Sequence, residues 1–217
     1  VSMSKKLETL GEYAFAENAA LSNITLPGTL QSIPGHCFEN STGLTSVTAG
    51  KGTTAIGDYA FRGCTGLKTV DLPEELTSIG HYAFSGCSSL ESIDLPDSVT
   101  TLGRRAFENC VKLASVNYPA SWTECYSTNN YYEDQYGYIF AGCKALTEIT
   151  IPDGVTAIPA YAFQGCTTLQ ELSLPESVTS IGVKAFNGCS ALEKIWIGSG
   201  VTTIEDNAFA GCSALTI

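Results

Sequence analysis

Nine cysteines, two histidines and a local run of tyrosines are the residues of this 217-residue chain whose chemistry asks for an account. Seven of the cysteines, Cys64, Cys87, Cys110, Cys143, Cys166, Cys189 and Cys212, each stand three residues after a phenylalanine. Thiols in such numbers could bind metal, form disulfides or act as nucleophiles. A structural metal site needs four ligands converging in a tetrahedron, which a straight file cannot supply. Adjacent members of the file could approach disulfide distances, but seven leave one unpaired. The expectation is reduced, buried thiols that pack as small apolar residues. Cys37, in an alanine position, and Cys125, in an isoleucine position, read as core in the same way.

Catalysis finds little support elsewhere. His36 and His81 each stand just before a phenylalanine, with neither nucleophile nor carboxylate at a diagnostic spacing, and read as ordinary surface variation. No G-x-S-x-G, H-E-x-x-H, G-x-G-x-x-G or P-loop pattern occurs, so no enzyme activity, cofactor or metal is expected. Eleven basic against 22 acidic residues give a net charge of −11, which repels phosphate backbones and argues against nucleic acid as a partner. No run reaches the roughly 18 apolar residues that span a bilayer, so this stretch is not expected to insert into a membrane.

The elements that would position these residues repeat. Phe15, Phe38, Phe61, Phe84 and Phe107 are spaced by 23 residues; after one gap of 33, Phe140, Phe163, Phe186 and Phe209 resume the step. A fixed period of this size marks a solenoid whose coils contact only their neighbours. Leucine follows every phenylalanine by six residues, from Leu21 to Leu215, and Ile or Val mostly follows by nine. The segment Leu-x-x-Ile-x-Leu ends in strand-like alternation, and the proline after it stops the strand. Val-Thr-x-Ile, as at 178–181, is a second short extended segment. Ala-Phe-x-Gly-Cys has room for one helical turn before its glycine. The fold class expected is thus an α/β solenoid, each coil a strand, turn, short strand and single helical turn. Eight steps at strand spacing give a core about 40 Å long. No linker divides it, so residues 1–217 read as one solenoid domain of about nine coils.

The string L-x-x-I-x-L-P-x-x-V-T-x-I-G-x-x-A-F-x-G-C, followed nearly residue for residue by 90–110 and 169–189, resembles the BspA-type leucine-rich repeat. Copies one and two depart from it, with Asn18 and Ser41 in the cysteine column. The resemblance implies a right-handed superhelix with a parallel β-sheet on its concave face and short strands and helical turns on the convex side. It also implies a bacterial, sometimes protozoan, cell-surface or extracellular protein that binds host or microbial surface proteins or glycans. The chain begins inside a repeat, stops two residues after a framework leucine, and reads as a fragment of a longer protein. Two matches to the glycosylation sequon, at 23–25 and 40–42, read as chance in a bacterial protein.

Two surfaces stand out as candidate binding sites. The first is the broken interval, where twelve residues, 126–137, replace the usual two. It carries Tyr126, Tyr131, Tyr132 and Tyr136 with Glu133 and Asp134. Insertions map to loops on one face, and tyrosines give large contact area with few rotatable bonds. The opposing reading has the rings fold down to cover an irregular coil edge or Trp122; Tyr118 and Tyr138 fall in framework columns and read as structural. The second surface is the concave shelf, whose outward columns follow each phenylalanine by eight and ten residues. It holds small polar side chains, the successive Asp71, Asp94 and Asn117, and at one end Trp196. A flat ladder lacks the six to eight wrapping oxygens that Ca²⁺ takes, so a solvated face is expected of the three polar rungs. Trp196 reads either as a ligand contact or as cover for a gap in the stack. A binding module using these residues is the leading reading, and a rigid structural spacer presenting another domain is the alternative. Ligand and oligomeric state are not legible in the sequence.

Overall fold

The computed structural model describes residues 3–119 and 137–216 together with the backbone of Cys125 and Tyr126. Its strands are two or three residues long and all pair in parallel, one coil on the next. The first ladder comes from Leu-x-x-Ile-x-Leu. Asn23–Thr25, Ser46–Thr48 and Thr69–Asp71 lie side by side with Ile24, Val47 and Val70 in register. Further along, Ser92–Ile93 pairs with Ser115–Val116, and Glu171–Ser173 with Lys194–Trp196. The alternation is the expected one, with Ile24 buried between exposed Asn23 and Thr25. The second ladder comes from Val-Thr-x-Ile. Ser32–Ile33, Ala55–Ile56, Ser78–Ile79, Thr101–Gly103 and Cys125–Tyr126 form one five-stranded run, and Ala157–Ile158, Ser180–Ile181 and Thr203–Ile204 a three-stranded one. Successive partners differ by 23 residues because one coil has that length.

The third side of the coil corrects the sequence expectation: among the described residues there is no helix, and the single helical turn around each phenylalanine is instead a run of tight turns. The reason lies in the backbone. Two residues before every phenylalanine, from Tyr13 to Asn207, φ is positive, and so it is two residues after, from Glu17 to Gly211. A right-handed helix cannot pass through left-handed residues placed four apart. For a side-chain-bearing residue that conformation costs roughly 1–2 kcal/mol. What offsets the cost is hydrogen bonding between coils. The N–H groups of Tyr59, Phe61 and Gly63 donate to the carbonyls of His81, Ala83 and Ser85 in the next coil, each at 2.8 Å. The same alternation recurs up the stack, so the backbone groups that a helix would pair internally pair with a neighbouring coil.

Inside, the nine phenylalanine rings form one continuous stack, including the step from Phe107 to Phe140 across the longer interval, where the centroids lie 5.5 Å apart. The seven from Phe38 to Phe186 are fully buried, and the leucine file from Leu44 to Leu192 is buried beside them. Burial of each such side chain contributes about 1.5–3 kcal/mol before entropy is subtracted.

Candidate functional site

The cysteine file is part of the coil-to-coil hydrogen bonding. Each thiol of the file donates to the carbonyl of the phenylalanine one coil back, as Cys64 Sγ does to Phe38 at 3.0 Å and Cys110 Sγ to Phe84 at 3.2 Å. Ser41, which replaces cysteine in the second copy, makes the same bond to the Phe15 carbonyl at 2.5 Å and is fully buried. The column therefore holds small side chains with a donor, not merely small apolar ones. All eight described cysteines are free thiols. Burial pushes Cys37, Cys64, Cys110 and Cys189 up to about 12, and Cys87, Cys143 and Cys166 well above the usual thiol range. A thiol held protonated and out of solvent is a poor nucleophile. Among the described residues no group of three or more His, Cys, Asp or Glu is placed to hold a metal ion.

On the outward columns of the first ladder the candidate residues take separate roles. Asn117 spans a rung: its Oδ1 accepts from the Leu95 N–H at 2.7 Å and its Nδ2 donates to the Leu95 carbonyl at 2.6 Å. In other coils the equivalent N–H bonds to backbone, as Leu26 does to Thr48. The Asn117 side chain thus closes the rung and is committed to the framework. Asp71 accepts from the Thr48 hydroxyl at 3.1 Å, and Asp94 is exposed. These three share a face without converging on a point. Trp196 ends the strand Lys194–Trp196 and is 53% exposed, a large aromatic surface beside the exposed Lys194–Glu171 ion pair of the same two strands.

The backbone of Tyr126 belongs to the second ladder, in register with Gly103, so it continues the framework strand. The other insertion residues, Tyr131, Tyr132 and Tyr136, and Trp122 with them, lie outside the described residues.

The framework column that holds Tyr138 runs along the turn face. Tyrosine stands two residues before phenylalanine in five of nine copies, at 13, 59, 82, 138 and 161. In the structure Tyr13, His36, Tyr59 and Tyr82 stack at 4.5–4.9 Å between centroids. Where the slot holds a cation the file continues through it. The Arg105 guanidinium lies 4.0 Å from the Tyr138 centroid, Tyr138 lies 4.4 Å from Tyr161, and Lys184 sits over Tyr161. Rings in such a file cover one another's faces and present edges to solvent, so they clad the turns. His36 also pairs through Nδ1 with Glu39 at 2.7 Å, and His81 Nδ1 accepts the Arg104 N–H at 3.0 Å, which places its neutral-state proton on Nε2. Two coils of sequence separate the two rings.

Comparison with known proteins agrees with this geometry. The profile of the BspA type leucine rich repeat region matches residues 8–136 and 133–217 in six copies. A leucine-rich repeat protein of T. pallidum has a similar fold, with a TM-score of 0.62 and 24% identity over 93% of this chain and 79% of that one. A leucine-rich repeat protein from Eubacterium ventriosum gives the same score and identity over 88% of this chain and 51% of its own. No curated protein matches. Period, parallel ladders, phenylalanine stack and the matched profile converge: the chain belongs to the BspA-type leucine-rich repeat family.

Proposed function

We propose that this chain is a non-catalytic protein- or glycan-binding domain of a bacterial surface or secreted protein, working outside the cell in adhesion or host interaction. Repeat domains of its family serve binding or structural roles. The observation that carries the binding role is where the period breaks: one interval alone is lengthened, and the added residues hold Tyr131, Tyr132 and Tyr136. A stack whose coils are otherwise interchangeable has no framework need for such a segment. Trp196, exposed on the first ladder, supplies a second aromatic contact surface. On this reading residues 1–217 form one right-handed solenoid domain, and its partner is a host or microbial surface protein or glycan.

The test is saturable binding of the chain to immobilised extracellular-matrix proteins and mucin glycans, beside a Tyr131→Ala/Tyr132→Ala variant and a version lacking 127–136. Circular dichroism checks that both stay folded. Binding lost in the variants with an unchanged melting temperature supports the reading. Binding that survives both moves the site to the Trp196 shelf, which Trp196→Ala then tests. Absence of binding across the panel refutes the binding role in favour of a rigid spacer.

A further inference from the structure

The residues directly after the phenylalanines from Phe38 to Phe186 form a file on the turn face that reads Glu39, Arg62, Ser85, Glu108, Ala141, Gln164 and Asn187, with Ser85 and Ala141 themselves buried. At Ala141 a methyl group sits between the longer Glu108 and Gln164, and a hollow of about 370 Å³ opens over it. Its floor is backbone, at Gly142, Gly165 and Gly188, all with φ between 72° and 76°. Its walls are Glu108, Asn109, Tyr138, Gln164 and Asn187. The volume lies at the lower end of the range for small-molecule sites.

The chemistry of the walls selects among ligands. Three of the five side chains are carboxamides, each presenting donors and an acceptor on one rigid plane. Gln164 Nε2 donates to Asn187 Oδ1 at 3.3 Å, and Asn187 Nδ2 to the Ala210 carbonyl at 3.0 Å, so two of the amides are held in place from behind. Asn109 reaches over Gly142, where its Oδ1 lies 2.4 Å from the position a Cβ would take, so the glycine is what lets the amide lean in. The single carboxylate, Glu108, is paired with Arg105, whose guanidinium also covers Tyr138. No uncommitted cation among these walls would draw an anion, and one carboxylate already in an ion pair is too few for a metal. Among the described residues no aliphatic side chain beyond Ala141 lines the hollow, so an apolar peptide anchor has no seat there. Groups that both donate and accept, set around a floor without side chains, suit a ligand whose own groups do the same: the neighbouring hydroxyls of a sugar ring.

We propose that this hollow binds a neutral saccharide unit, with Asn109, Gln164 and Asn187 hydrogen-bonding its hydroxyls. The inference rests on the binding reading above and names one ligand class and one place for it, on the turn face and away from the Trp196 shelf. Both faces of the Tyr138 ring are covered, by Arg105 and Tyr161, so it offers the ligand no stacking surface.

The experiment is a titration of the ¹⁵N-labelled chain with neutral oligomers of glucose, mannose, galactose and N-acetylglucosamine, read on the side-chain NH₂ resonances of Asn109, Gln164 and Asn187. At least one series is expected to shift all three saturably. Ala141→Gln fills the hollow with a side chain the same file accepts one coil later, and should weaken binding at least about tenfold, the equivalent of 1.4 kcal/mol. Gln164→Ala, on a partly exposed residue, should do the same with circular dichroism unchanged. Absence of shifts with every saccharide, or undiminished binding by both variants, overturns the proposal. The two failures separate cleanly: matrix proteins or mucins captured by the native chain and equally by Ala141→Gln leave the binding function standing and remove only this site.

Discussion

Replacing Cys110 by alanine and by serine separates the two things a buried cysteine could be doing. The thiol is fully buried and donates to the Phe84 carbonyl at 3.2 Å; that carbonyl also accepts the Cys87 N–H at 3.1 Å. Alanine removes one donor from an acceptor that keeps the other, so the hydrogen-bond loss lies near about 1 kcal/mol. The space left by the sulfur adds about 1 kcal/mol, because neighbouring coils are fixed by their own ladders and cannot close it. The total of about 2 kcal/mol lowers Tm by roughly 4–8 °C in a chain of this size. Serine keeps a donor in the geometry that Ser41 already shows, and sheds only the apolar surface of sulfur, for about 1 kcal/mol or less and a fall of roughly 2–4 °C. The assay is thermal unfolding followed by circular dichroism under reducing conditions. Urea unfolding should accompany it, because repeat stacks can lose two-state cooperativity. A serine variant that melts at or below the alanine variant would falsify the donor role and return the column to plain apolar packing.

Two further outcomes follow from the same stack. Burial raises the folded-state pKa of the thiol file, so the unfolded chain ionises first, near the ordinary thiol value of about 8.5. Stability is therefore complete below that pH and is lost as pH rises toward about 12, by up to about 1.4 kcal/mol per pH unit for each thiol. The urea midpoint should stay level through neutral pH and fall steeply above about pH 9, and a midpoint level through that range would contradict the burial argument. Among glycines, Gly103→Ala should cost more than Gly63→Ala although only Gly63 has a positive φ, of 70°. A Cβ on Gly103 would lie 2.3 Å from backbone atoms of Gly80 and His81, whereas one on Gly63 meets the movable end of Asn40. About 3 kcal/mol against about 1 kcal/mol is expected in urea unfolding, and the reverse order would mean that the adjoining coils can slide apart.

The sequence by itself determined which residues stack on which. A 23-residue step repeated through Phe15 to Phe107 can only place equivalent positions above one another, so the phenylalanine, leucine and cysteine files and both parallel ladders were legible before any coordinates. The tertiary structure decided what each position does once stacked. The turn around each phenylalanine reads locally as helical, because a tyrosine or arginine at positive φ is unfavourable in isolation; only the hydrogen bonds from Tyr59, Phe61 and Gly63 to the next coil make it the stable form. For the same reason the cysteine column looked like apolar filler until Phe38 and Phe84 supplied carbonyls from one coil back. Asn117 read as one rung of a solvated polar shelf until the Leu95 backbone claimed its amide. The hollow over Ala141 exists only because side chains 33 residues before and 23 after it rise on either side. In a solenoid the period carries the fold. Partners one coil away in space, and a full repeat away in sequence, decide the chemistry of each side chain.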